Sequence, residues 1–248
     1  MLIKDITHTI SNPSSTMTSQ DLPPSQSDFL AFDIANAYDN EIDHYPKFAE
    51  IDPGRQKALD WVITELQAFP QCPEPLQCID IGCAHGRPTV QCLAEQGHNV
   101  LGLDLSLGML DKATKDLAAF PNVRFELGDV RIWTPAPSQK GHIDCVTCFY
   151  VISHFAQEEY SVILGRIAGW LRPTGIFVLG AIVGRNEWKR FERIAAPISS
   201  ATTEELKWLL EDAGLEVVKD WEEDWSSVVR PDRPGRRHQF FLCRKGIV

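Results

Sequence analysis

Acids and glycines in the first half of the chain are spaced as a nucleotide-binding site needs them. The run from Cys78 to Thr89, CIDIGCAHGRPT, sets Asp80 in an apolar stretch and follows it with Gly82 and Gly86. Glycine at a strand-to-helix turn reaches positive φ cheaply and lets a ligand approach the backbone with no Cβ in the way. Asp104 closes the next apolar run, where one carboxylate can accept both hydroxyls of a ribose. A third acid follows in Gly128-Asp129-Val130. A fourth run, DCVTCFYVISH from Asp144 to His154, ends on a histidine whose ordinary pKa suits taking a proton from a phenol, enol or thiol. For His154, packing or support of a bound cofactor is an equally open role. The spacing G-x-G-x-x-G is absent, and the acid leads instead, as Asp80-x-Gly82-x-x-x-Gly86, which disfavours a nicotinamide oxidoreductase.

Alternating strands and helices must position these residues. Short apolar runs at 76–82, 99–104, 123–127, 143–150 and 175–183 read as parallel strands, with amphipathic segments between them. Pro88 opens one helix that Gly97 stops, and Ser106 caps another with Leu110, Ala113, Leu117 and Phe120 on one face. Tyr160, Ile163, Ile167 and Trp170 mark a third, ended by Pro173 and Gly175. Upstream, Asp52-Pro53 starts a helix in which Leu59, Val62, Leu66 and Phe69 recur at helical spacing. Downstream, Thr202 and Glu205 make a capping box, Leu206, Leu209, Leu210 and Ala213 form a buried stripe, and Gly214 ends the helix. Runs at 215–221 and 238–244, with only the turn-forming RPDRPGR of 230–236 to reverse the chain, read as an antiparallel hairpin. The expected fold is α/β: a doubly wound, Rossmann-like, mostly parallel seven-stranded sheet with a C-terminal antiparallel hairpin.

From about Tyr38 to Arg244 the ordered motifs resemble class I S-adenosylmethionine-dependent methyltransferases, in particular the small-molecule group similar to the ubiquinone and menaquinone C-methyltransferases. The resemblance implies S-adenosylmethionine as cofactor. Its methionine part would be held by Asp80, Gly82, Cys83, Ala84 and Gly86, and its ribose by Asp104 beside Leu105. Met109 would pack near the adenine, Asp129 and Val130 would meet its edge, and Phe149 would end the strand beside the methyl group. Tyr38 resembles a position that caps the cofactor. Ala84 stands where the family has a middle glycine, and permits close approach if its φ is negative. His85 is unusual there and is expected to be an exposed loop histidine.

A sulfonium methyl is already activated, so alignment and water exclusion are the main requirements, and the motifs specify the donor better than the acceptor. No N-P-P-Y-like sequence ends the fourth strand, and no carboxylate cluster accompanies Gly180-Ala181-Ile182, so a small-molecule acceptor and no metal are expected. A cyclase or pericyclase on the same fold, and a cofactor-sensing interaction protein, stay open as alternatives.

Composition narrows the setting. With 34 acidic against 24 basic residues the net charge is −10, which repels nucleic acid and anionic membranes alike. Seven cysteines over 248 residues do not make a disulfide framework, and Cys145-x-x-Cys148 reads as core cysteines on a strand, so a cytoplasmic location is expected. No run approaches a membrane span. Residues 1–27, rich in Ser, Thr, Pro and Gln, read as a flexible tail, and 28–248 as the methyltransferase domain with an N-terminal helical cap. An insertion at 184–200, GRNEWKRFERIAAPISS, mixes Trp188 and Phe191 with arginines and reads as a cover over the acceptor or as a solvated amphipathic helix. The sequence does not set the oligomeric state.

Overall fold

The computed structural model describes residues 31–45, 49–68, 75–184, 189–190, 197–224 and 237–247. Two helices, α1 (Ala31–Asp39) and α2 (Pro53–Gln67), precede the sheet. There follow β1 (Gln77–Ile81), α3 (Thr89–Glu95), β2 (Asn99–Asp104), α4 (Leu107–Asp116), β3 (Val123–Leu127), β4 (Ile143–Phe149), α5 (Tyr160–Trp170) and β5 (Leu171–Val183). The chain closes with α6 (Thr203–Asp212), β6 (Leu215–Asp224) and β7 (Arg237–Lys245). The strand order is β3-β2-β1-β4-β5-β7-β6. The first five strands are parallel, and β7 runs antiparallel between β5 and β6. The expected sheet and its closing hairpin are therefore present, and the winding reverses between β1 and β4, where open α/β sheets form a crevice at the strands' carboxyl ends.

The helix starts are fixed by the expected side chains. Asp52 Oδ1 accepts from the amides of Gly54 and Arg55 at 3.0 and 3.2 Å, and Ser106 Oγ accepts from the Met109 amide at 3.0 Å. Thr202 and Glu205 cap each other's amides, at 3.1 and 2.8 Å. One boundary differs. β5 begins at Leu171, ahead of Pro173 and Gly175, because Leu171 still pairs with Ile143 before the ladder shifts to pair Cys145 with Ile176. A bulge absorbs the Pro-Thr-Gly segment, a compromise that local turn propensity does not reveal.

Strand alternation sorts the core into two layers. Ile79, Ile81, Val146, Cys148, Phe177 and Leu179 pack under α5 and α6, whereas Cys78, Cys145, Ile176, Val178 and Phe240 pack under α2, α3 and α4. Cys145 and Cys148, three residues apart on β4, thus lie on opposite faces of the sheet, where they cannot act as a dithiol pair. Both are buried core cysteines.

Helix α1 belongs to neither layer. Ile34 and Ala37 form a separate cluster with Tyr38, Tyr45 and Leu105, and Asp39 Oδ1 accepts from Ser106 Oγ and, at 3.0 Å, from the Gly108 amide. The helix is therefore docked on the start of α4, above the sheet's carboxyl edge. The expected tail and the aromatic part of the insertion, Trp188 and Phe191 included, lie outside the described residues. Within the insertion Lys189–Arg190 pairs antiparallel with Pro197–Ile198, so those residues are not part of an amphipathic helix. No helix among the described residues is long and apolar enough to cross a membrane.

Candidate active site

A pocket opens at the winding reversal, walled on one side by the loops after β1, β2, β3 and β4 and on the other by the N-terminal cap. The sheet side contributes Ile81, Gly82, Ala84, Asp104, Leu105, Gly128, Val130, Phe149, Tyr150, Val151, His154 and Phe155, and the cap contributes Ile34, Ala35, Tyr38 and Tyr45. Eight residues singled out in the sequence meet here: Tyr38, Gly82, Ala84, Asp104, Leu105, Val130, Phe149 and His154. The others stand behind the wall. Met109 is fully buried at 0% exposure on α4. Cys83 packs into the layer beneath α2 and α3.

The two glycines do different work. Gly82 has φ +65°, and a Cβ there would lie 2.1 Å from Val151 Cγ2, so glycine lets the β1 turn and the β4 turn close against each other beside the pocket. Gly86 has φ +79°, and its Cβ would meet Leu117 Cδ1 at 2.7 Å and the Phe125 ring at 3.3 Å. It serves packing against α4 and β3. Ala84 departs from expectation: its φ is +48°, so this non-glycine residue holds a left-handed conformation at a cost of order 1–3 kcal/mol. The Ala84 amide is aimed at Asp104 as a result.

Asp104 is the pocket's central carboxylate. Its Oδ2 accepts from the Ala84 amide at 2.7 Å and its Oδ1 from the Ser106 amide at 2.9 Å. Burial pushes its pKa up, and those amides oppose the shift. An ionised carboxylate has about four acceptor sites, so acceptor capacity remains for a ligand. Asp80 is buried one layer deeper and accepts from Thr147 Oγ1 at 2.7 Å. Desolvation raises its pKa to about 7, against the Thr147 hydrogen bond and the nearby Arg55 charge. Asp129 is tied up in a paired contact with Arg131, whose Nε and Nη2 donate to Oδ2 at 2.9 and 2.7 Å, and Gly128 and Val130 face the pocket on either side of it.

Two histidines anchor the cap. Tyr38 Oη and His154 Nε2 are 2.7 Å apart in a hydrogen bond across the pocket, and burial holds the Tyr38 phenol well above its ordinary pKa, so the phenol keeps its proton. His85 is a correction. It is buried, at 1% exposure, with Nε2 3.3 Å from Glu50 Oε1, because the left-handed Ala84 turns the loop inward. Burial lowers its pKa, with Glu50 opposing.

The structure also brings in residues that sequence reasoning passed over. Arg55 is 6% exposed; its Nε has no hydrogen-bond partner among the described residues and lies 4.0 Å from Asp52 Oδ2, with the guanidinium 4.9 Å above the Phe149 ring. A signal existed, since a cation in the first turn opposes the helix dipole and invites a search for a reason. Tyr150 is a second such residue. It has φ +67°, strained for an aromatic residue, its amide donates to the Gly180 carbonyl at 2.6 Å, and its Oη bonds Asp52 Oδ2 at 2.5 Å.

A carboxylate ringed by amides, glycine turns and apolar walls at the reversal of a parallel sheet with an antiparallel closing hairpin defines the methyltransferase class of α/β protein. The methyltransferase domain family matches residues 54–220, and the chain belongs to that family. Among curated proteins it is 31% identical over 107 residues to a malonyl-[acyl-carrier protein] O-methyltransferase of Halalkalibacterium halodurans, covering 42% of this chain and 38% of that one. It is 30% identical over 111 residues to a trans-aconitate 2-methyltransferase of Delftia acidovorans, covering 44% and 39%. The aligned region thus spans under half of either curated relative. Among solved structures, the Burkholderia thailandensis 1,6-didemethyltoxoflavin-N1-methyltransferase, crystallised with S-adenosylhomocysteine, superposes with a TM-score of 0.68 at 20% identity over 97% of this chain and 99% of that one. The magnesium protoporphyrin IX methyltransferase of Synechocystis PCC 6803, with bound S-adenosylmethionine, gives 0.57 at 20% identity over 79% and 82%. At these identities the likeness is one of fold.

Proposed function

We propose that the protein binds S-adenosylmethionine in this pocket and transfers its methyl group to a small-molecule acceptor. The observation that carries the reading is Asp104, a half-buried carboxylate held by backbone amides with acceptor capacity left at a pocket wall built from the family's own loops. The residues fit the cofactor at each end. Asp104 would take the two ribose hydroxyls, Leu105 and Val130 would sandwich the adenine near Asp129, and Met109 would back that slot from behind. Gly82 and Ala84 would let the methionine part approach the backbone, with Asp80, Cys83 and Gly86 supporting the turn. The Arg55 guanidinium, ion-paired with Asp52 but with no hydrogen bond at Nε among the described residues, would meet the carboxylate end beside Phe149.

The bound cofactor supplies an electrophilic methyl on a sulfonium. The chain's task is to align and to seal. Tyr38 and Tyr45 close the outer wall and His154 holds Tyr38 in place, so the geometry favours His154 as the anchor of the cap over His154 as the base. The acceptors in the relatives' names, malonyl-[acyl-carrier protein] and trans-aconitate, support an acceptor other than nucleic acid, and trans-aconitate a small one.

Calorimetry against S-adenosylmethionine, S-adenosylhomocysteine and NAD tests the binding half, with both adenosyl compounds expected to bind and NAD not. Methyl-labelled cofactor incubated with a metabolite extract, followed by mass spectrometry, tests the transfer half. Binding without any labelled product would favour a cyclase or a cofactor-sensing protein; NAD binding alone would end the proposal.

A further inference from the structure

One buried polar chain reaches the pocket from the far side of β4. Asp52, at the start of α2, Tyr150, just past β4, and His238, at the start of β7, are joined by hydrogen bonds across the carboxyl edge of the sheet. Asp52 Oδ2 to Tyr150 Oη is 2.5 Å, and Tyr150 Oη to His238 Nδ1 is 3.0 Å. Asp52 and His238 are 4% and 8% exposed, whereas Tyr150 is partly open and lines the pocket.

The donors in this chain can be counted. A carboxylate only accepts, so the single Tyr150 proton goes to Asp52; His238 must then donate from Nδ1 to Tyr150 Oη. One lone pair of Oη remains. A left-handed backbone at Tyr150 holds that oxygen at the junction of the pocket with the two partners, which is where strained side chains tend to have a chemical task.

Resting on the methyl transfer proposed above, we infer that Tyr150, backed by Asp52 and oriented by His238, takes the proton from the acceptor, and that the acceptor is therefore a phenol, enol or ring N–H and not a carboxylate. The step balances. The nucleophilic atom forms its bond to the methyl carbon as the carbon–sulfur bond breaks, and the sulfonium becomes a neutral thioether. The acceptor's proton moves to Tyr150 Oη as the Tyr150 proton moves to Asp52 Oδ2, leaving Asp52 as a neutral acid that later returns its proton to water. The sulfonium charge and the Asp52 charge are lost together, which spares a low-dielectric site a separated ion pair. Besides His238 and Asp52, the ionisable groups facing Tyr150 are Arg55 on α2 and Tyr45 in the cap. A carboxylate acceptor would arrive already ionised and give this relay nothing to do.

The test uses the full-length protein, methyl-labelled S-adenosylmethionine and a metabolite extract, comparing the wild type with Tyr150→Phe and His238→Gln. The labelled product should resist mild alkali, as an ether or N-methyl compound does. Tyr150→Phe should lower the initial rate at pH 7 by about 100-fold or more while S-adenosylhomocysteine affinity stays within about threefold. Its rate should then climb about tenfold per pH unit where the wild type is level, because the acceptor must ionise unaided. His238→Gln should lose about tenfold with the same pH response. A labelled methyl ester, released as methanol by alkali, overturns the inference, as does a Tyr150→Phe protein with the parental rate or with a loss that pH does not restore. Absence of any labelled product from the wild type would instead remove the methyl transfer itself.

Discussion

Asp104, half-buried, and Asp80, buried, are both acids near the pocket, yet their surroundings give them opposite uses. Asp104 keeps two amide donors and open acceptor sites, so Asp104→Ala should remove two charge-assisted bonds to the ribose and weaken cofactor binding by about 3 kcal/mol or more, read by calorimetry on a protein that still folds. Equal affinity in the variant would mean that the ribose is held elsewhere. Asp80 has one hydroxyl partner and a pKa raised to about 7, so the folded protein binds a proton there that the unfolded chain, with an ordinary pKa near 3.9, releases. Stability from this group is fullest near pH 4 and is lost as pH rises through 7. Asp80→Asn keeps an oxygen for Thr147 and removes the buried charge. The variant should therefore exceed the parent by roughly 2–4 kcal/mol at pH 8 and approach it near pH 4, measured by denaturant titration at both values.

At the scale of elements, the turns after the strands are set by contacts that no single segment contains. Gly86 faces Leu117 and Phe125 from two other elements, so Gly86→Ala combines a forced φ with an overlap and should cost about 1–3 kcal/mol in unfolding free energy while touching no pocket atom. Helix α4 depends on Ser106 twice, as the cap of Met109 and as a donor to Asp39 of α1. Ser106→Ala should lower global stability by about 1 kcal/mol and, in addition, raise hydrogen exchange selectively in residues 31–39. A drop in stability with no change in α1 exchange would show that the cap is held by its apolar contacts alone.

Across the whole molecule, the cap is the part least committed to the core. Its apolar cluster is separate from the two layers around the sheet, and its polar ties run to the loops after β1, β2 and β4 through His85, Ser106 and His154. With the cap in place the pocket leaves about 50 Å³, against about 300 Å³ or more for sites that hold a molecule of the cofactor's size. Binding should therefore require outward movement of α1 and its following turn. Tyr38→Phe keeps the aromatic wall and deletes the tie to His154, so it should speed both association and release of S-adenosylhomocysteine by about fivefold or more in stopped-flow measurements, with a smaller change in affinity. Unchanged rates would mean that the cofactor enters by another route.

What the sequence determined alone was whatever depends on neighbours in the chain. Strand and helix positions, the capping of α2, α4 and α6, and the opposite-facing cysteines of β4 all follow from periodicity and local hydrogen bonding, which act over a few residues. The ordered acids and glycines were legible too, because a ligand crevice at the winding reversal collects the ends of successive strands. Only the tertiary structure decided which of those residues reach the pocket. Met109 and Cys83 turned into the core, Asp129 paired with Arg131, and His85 was drawn inward by a left-handed Ala84, since each side chain settles against partners distant in sequence. Arg55, Tyr150, Asp52 and His238 were invisible as a group for the same reason. Between Asp52 and His238 lie six strands of the sheet and their connections, and only assembling the sheet brings an aspartate chosen to cap a helix to within one tyrosine of a histidine on the second-to-last strand of the sheet.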